Sequence, residues 1–136
     1  MTALSDSYEA KRKDSEIQDY PVLASATIYK GGMIVDKGTG YASAGTDGSS
    51  YILLGVAVED ADNSSGDDGD KWVRVYKTGS YVYTKPDAAQ SDVGTLVYVA
   101  DDQTVGSSTT NSVEAGYVVE YLTSTTVRVR IDKVVQ

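Results

Sequence analysis

Cysteine, histidine and phenylalanine are all absent from the 136 residues, and proline occurs only twice. Without cysteine there is no disulfide, no thiol nucleophile and no thiolate metal site. Without histidine there is no Ser-His-Asp relay and no imidazole-bound zinc. Cationic charge is scarce as well. Twelve Lys and Arg stand against 20 Asp and Glu, a formal net charge of −8, and that field repels phosphate backbones and anionic membrane surfaces. No apolar run approaches the roughly 18 residues of a membrane span, and Met1–Asp6 shows no basic-then-apolar signal segment. The expectation is a protein made in the cytoplasm that binds neither nucleic acid nor membrane.

What is present is valine and tyrosine, 18 and 11 residues respectively, both suited to pleated, half-buried surfaces. The length predicts one domain. Its first stretch differs from the rest. Up to Asp19 the sizeable apolar or aromatic side chains are Met1, Leu4, Tyr8 and Ile17, set among eight charged residues. That density cannot pack an independent element, so a flexible N-terminal arm is expected over residues 1–20 and a β domain over 21–136. Pro21 biases Tyr20 toward extended geometry and marks the entrance to the domain.

Beyond Pro21 the patterning is that of strands. Thr125–Asp132 alternates strictly, with Val127, Val129 and Ile131 on one face and Arg128 and Arg130 on the other; Trp72–Tyr76 alternates too. Tyr51–Val58 is a continuous apolar run, as for a strand covered on both faces, and Gly55 within it predicts a bulge or a close backbone approach. Further strands are expected at Val22–Tyr29, Met33–Asp36, Ser80–Thr84, Thr95–Ala100 and Val113–Leu122. Glycine turns separate them, and Pro86–Asp92 is the one short helical candidate. No internal repeat of fixed period is evident. The fold class expected is all-β: a single compact barrel or sandwich of short antiparallel strands with an extended N-terminal arm.

Chemistry-bearing patterns are few. Glu59–Asp70 holds six carboxylates in twelve residues, but the calcium-loop template places Ser65 where Gly is needed and Lys71 where a bidentate Glu is needed. It reads as a solvated acidic turn between strands. No catalytic residue, metal site or cofactor is assigned, and Lys30-Gly31-Gly32 reads as a hairpin turn rather than a phosphate cradle. Tyrosine offers rigid contact area with a polar tip. Tyr81 and Tyr83 share one strand face, which makes them the candidate protein-interface pair. Leu4, Tyr8, Ile17 and Tyr20 are the candidate contacts of the arm.

Several segments, taken in order, resemble a known family. Ala26–Val35, Leu54–Asp62, Asp92–Val99, Gly116–Glu120 and Thr126–Ile131 are similar in kind and sequence order to tailed-bacteriophage head decoration (cement) proteins, over roughly Val22 to Lys133. The resemblance implies a β-barrel-like module without enzymatic activity that clamps the outside of an icosahedral shell as a trimer or dimer. Its partner would be the major capsid protein and its location the outer surface of the virion. The arm would bridge shell subunits, with main-chain bonds along an exposed sheet edge substituting for the core it lacks. A second reading is a glycan-binding β-sandwich on a virion or bacterial surface that uses exposed Tyr and Trp72 as stacking platforms.

Overall fold

A computed structural model describes every residue except Met1, Tyr8 and Asp14. The described strands are β1 (Ile17–Pro21), β2 (Thr27–Ile28), β3 (Met33–Asp36), β4 (Ala42–Ala44), β5 (Ile52–Ala57), β6 (Ala61–Asp62), β7 (Trp72–Tyr76), β8 (Ser80–Thr84), β9 (Leu96–Val99), β10 (Val105–Gly106), β11 (Glu114–Thr123) and β12 (Thr126–Arg130). They form two five-stranded antiparallel sheets, β1-β7-β5-β3-β4 and β10-β9-β11-β12-β8, with β2 and β6 as a separate pair. Among the described residues there is no α-helix. Where Pro86–Asp92 was expected to turn helically, only Gln90–Asp92 forms a 3-10 turn.

Both sheets curl until their edges meet. Just past β1, Val22 bridges Ala42 of β4, and the Leu23 N–H donates to the Ala42 carbonyl at 2.9 Å. At the end of β8, Thr84 bridges Thr104 beside β10, and its N–H donates to the Gln103 carbonyl at 3.0 Å. Alternation then divides the side chains between two cores. Ile34, Leu54, Val73 and Val75 point into the first curled sheet with Val22 and Ile28. Met33, Val35, Leu53 and Val56 point out of its back and join Val97, Val99, Val127, Val129 and Ile131 of the second sheet. The apolar run of β5 is thus covered on both faces, Leu53 by one core and Leu54 by the other.

The two sheets are two copies of one design, although the sequence shows no repeat of fixed period. In each, the order is first strand, fifth, fourth, second, third of that half, counting β2 and β6 apart. Gly55 pairs with Ile34 while Leu53 pairs with Val35; likewise Gly116 pairs with Val97 while Glu114 pairs with Tyr98. Leu54 and Ala115 are therefore the extra residues of matching bulges. Gly31 donates to the Ala57 carbonyl at 2.9 Å as Gly94 donates to that of Val118 at 2.7 Å. Arg74 pairs with Glu59 at 2.6 Å, and Arg128 with Glu120 at 3.1 Å. The halves differ mainly in one connection. The first carries the acidic loop between its last two strands, and the second turns back tightly at Ser124–Thr125. That loop breaks the spacing of equivalent residues, so no fixed period exists in the sequence.

Two further differences from expectation have clear causes. Val22–Tyr29 is not one strand, because Ser25 takes a positive φ of 61° and turns the chain before β2. And the arm ends earlier than residue 20: Ile17–Pro21 pairs antiparallel with Trp72–Tyr76 along its whole length. Ile17, Asp19 and Pro21 face outward while Gln18 and Tyr20 face the sheet, so few apolar residues suffice for an edge strand.

The bulge glycines carry the curl. Gly55 has φ 145°, and a Cβ there would stand 2.0 Å from the Tyr76 carbonyl oxygen; Gly116 has φ 150°, with 2.2 Å to the Arg130 carbonyl oxygen. Gly55→Ala and Gly116→Ala are each expected to destabilise by about 3 kcal/mol in urea denaturation. Gly38→Ala, at φ 97° with open space around it, should lose only about 1 kcal/mol. Equal losses at the three positions would refute the close-approach account.

Candidate interaction surfaces

The arm and the edge strand it enters form the first candidate surface. All described residues from 2 to 16 are exposed and outside any strand or helix, with the Leu4 side chain 75% exposed. Tyr8 lies outside the described residues. Ile17 is exposed on the outer face of β1. Tyr20 is instead half-buried: its hydroxyl accepts from Lys77 Nζ, which also donates to the Gln136 carbonyl at 3.2 Å and lies 4.7 Å from the centre of the Tyr20 ring. Tyr20 therefore fastens β1 to the body. Of the four arm residues predicted, Leu4 and Ile17 present free surface and Tyr20 does not.

Tyr81 and Tyr83 share a face of β8, as alternation required, but it is the inner face. Tyr83 is only 3% exposed within the large core, and Tyr81 packs against that core with its hydroxyl donating to the Thr78 carbonyl at 2.8 Å. The expectation of an interface pair is corrected on this point: both rings are committed to the fold. The residue that β8 shows to solvent is Val82 between them. Trp72 on β7, in line with Arg74 and opposite Pro21, is 61% exposed. No sequence signal beyond alternation marked this outer stripe.

The acidic loop spends its carboxylates locally. Asp60 accepts from the Lys30 N–H at 2.7 Å, Asp62 from Ser64 at 3.0 Å, Asp68 from Ala24 at 2.8 Å and Asp70 from Asp67 at 2.9 Å. Asp62 is held below the usual carboxylate range by its bonds from Ser64. Asn63, buried, donates through Nδ2 to the carbonyls of Leu23 and Asp67 at 3.0 and 2.9 Å. Among the described residues no three acidic, Cys or His side chains converge as a metal cage, and no helix is long and apolar enough to cross a membrane.

Elsewhere one cation is buried. Lys85, 3% exposed, has Nζ 3.0 Å from Asp92, and Asp92 also accepts the Ala89 N–H at 2.9 Å. This pair closes the connection after β8 and leaves nothing free for chemistry.

The architecture is thus two curled five-stranded sheets with an exposed leader. No protein-family model matches the chain, and no curated protein matches it in sequence. Among solved structures it is similar to the head fiber gp8.5 N base in bacteriophage phi29, with a TM-score of 0.51 and 19% identity, over 88% of this chain and 98% of that one. At that identity the likeness establishes the fold.

Burial lowers the Lys77 ammonium from 10.5 to about 8. Between those values the unfolded chain keeps a proton that the folded chain has released, so this group's contribution to stability rises with pH. The stability difference between the wild type and Lys77→Met should therefore shift in favour of the wild type from about pH 7.5 to 9.5, read by urea denaturation. A difference that stays flat, or falls, would show that Lys77 is not held in a desolvated contact on Tyr20.

Proposed function

We propose that this chain is a structural protein of a tailed-phage head. It is made in the host cytoplasm and binds the outside of the icosahedral shell as a trimer, or alternatively a dimer, where it holds neighbouring major capsid subunits together without covalent chemistry. The observation that carries this reading is the division of the chain into a bonded β body and a leader that makes no strand of its own, with every described residue from 2 to 16 exposed. The shared fold with a phage head fiber base supports it, as does the resemblance of the strand segments to cement proteins.

The mechanism is mechanical. Ordering the leader costs about 1–2 kcal/mol per residue in backbone entropy. Its few apolar side chains, Leu4 among them, cannot offset that alone. An extended backbone laid along a sheet edge of a shell subunit recovers it through main-chain hydrogen bonds. Once one leader of an oligomer is attached, the others bind intramolecularly, so weak contacts sum to firm attachment. Each oligomer then spans subunits and raises the work of separating them. Stiffness matters here: β1 follows the leader directly and is bonded along its length to β7, so tension on the leader is passed to the sheet.

Removal of residues 2–15 tests this. It spares Glu16, whose carbonyl accepts the Lys77 N–H at 2.8 Å, and so leaves β1 in place. The truncated chain should melt at the same temperature as the full one yet fail to cosediment with expanded capsids. Undiminished attachment would overturn the arm mechanism.

A further inference from the structure

Where the two halves meet, between the turn after β2, the outer edge of β8 and the turn after β9, lies an open cavity of about 560 Å³. That is room for a small organic ligand. Its residues are held by their backbones. Lys30 donates its N–H to Asp60 at 2.7 Å, Asp102 accepts the Met33 N–H on its carbonyl at 2.9 Å, and Gln103 both accepts from Thr84 at 3.0 Å and donates to Asp101 at 2.8 Å. The Tyr83 hydroxyl donates to the Gly31 carbonyl at 3.1 Å and keeps its lone pairs. By contrast, the Asp102 carboxylate, the Gln103 carboxamide and the Lys30 ammonium make no hydrogen bond or ion pair with another side chain among the described residues. Burial, with Asp101 beside it, raises the Asp102 carboxyl above its usual range. Tyr29, which also lines the cavity, is 64% exposed although aromatic.

The lining thus offers acceptors, donors and an exposed aromatic residue within a single hollow, and the Asp102, Gln103 and Lys30 side chains are not engaged by any other described side chain. Each ligand class can be set against it. An aliphatic ligand would desolvate three polar side chains without giving them partners. An anion meets Asp102 and an overall charge of −8. A cation meets Lys30. A sugar ring satisfies all of them, because its hydroxyls donate and accept around the rim and its C–H face is apolar.

We propose that this cavity binds a neutral pyranose, stacked on Tyr29, with hydroxyls held by Asp102 and Gln103. The site is independent of the leader and adds surface adhesion to a shell-bound protein.

The test uses the full chain and four probes, the methyl glycosides of glucose, galactose, mannose and N-acetylglucosamine, at millimolar concentration. Saturation-transfer NMR detects binding and titration gives affinity. At least one probe should bind, with affinity about tenfold weaker in Tyr29→Ala and in Asp102→Asn. Tyr29→Ala should keep the wild-type melting temperature and capsid attachment, since its ring is exposed. Trp72→Ala, whose exposed ring lies outside the cavity, should bind as the wild type does. Absence of binding by all four probes, or binding that Trp72→Ala abolishes and Tyr29→Ala leaves intact, would overturn the proposal.

Discussion

Two backbone contacts shape this molecule. At Gly55 the chain passes so close to the Tyr76 carbonyl, and at Gly116 so close to that of Arg130, that no side chain fits. Each contact sits beside a bulge that puts one extra residue into a central strand, Leu54 or Ala115. A bulge increases local twist and bends its strand. Bent at its centre, each five-stranded sheet folds its edges toward one another, and the bridges Val22–Ala42 and Thr84–Thr104 close the gap at one end. From that curl follow an inner core for the first half, a shared core between the halves, and the outward rows that carry Trp72, Arg74 and Arg128.

Strand positions were largely legible in the sequence because runs of β-branched and aromatic residues stand between glycine turns, and along β7 exposure alternates cleanly. β3, β7 and β8 fall where Met33–Asp36, Trp72–Tyr76 and Ser80–Thr84 were read. The apolar run around Gly55 announced both its double burial and its bulge. Alternation says which residues share a face but not which face meets the core, and that is why Tyr81 and Tyr83 were read outward when Val82 is the exposed residue. β1 was read as arm because an edge strand needs only one covered face, and Gln18 and Asp19 look the same in a leader as on an edge. The duplication was hidden for a different reason. Most core pairs are exchanged for other apolar residues, such as Ile34 for Val97, and the acidic loop shifts everything after Glu59. What persists is structural: Tyr20 and Tyr83, Gly55 and Gly116, Glu59 with Arg74, and Glu120 with Arg128.

The same features assign the parts of the molecule different work. The body is bonded throughout, and even the acidic loop, the most chemical-looking stretch in the sequence, spends most of its carboxylates on backbone N–H groups. The leader is the opposite, exposed over its described length and followed at once by a firmly paired strand. A chain built this way resists pulling at the body and adapts at the leader, the division of labour that the proposed attachment to a shell would use.

That division is read most directly by hydrogen exchange, residue by residue, on the chain free and bound to capsids. Free, amides 2–15 should exchange at the rate of an unstructured peptide while those of β5 and β11 stay protected. On the shell, protection should spread to 2–15 and leave the body unchanged. Bound protein whose leader exchanges as fast as before would contradict the account.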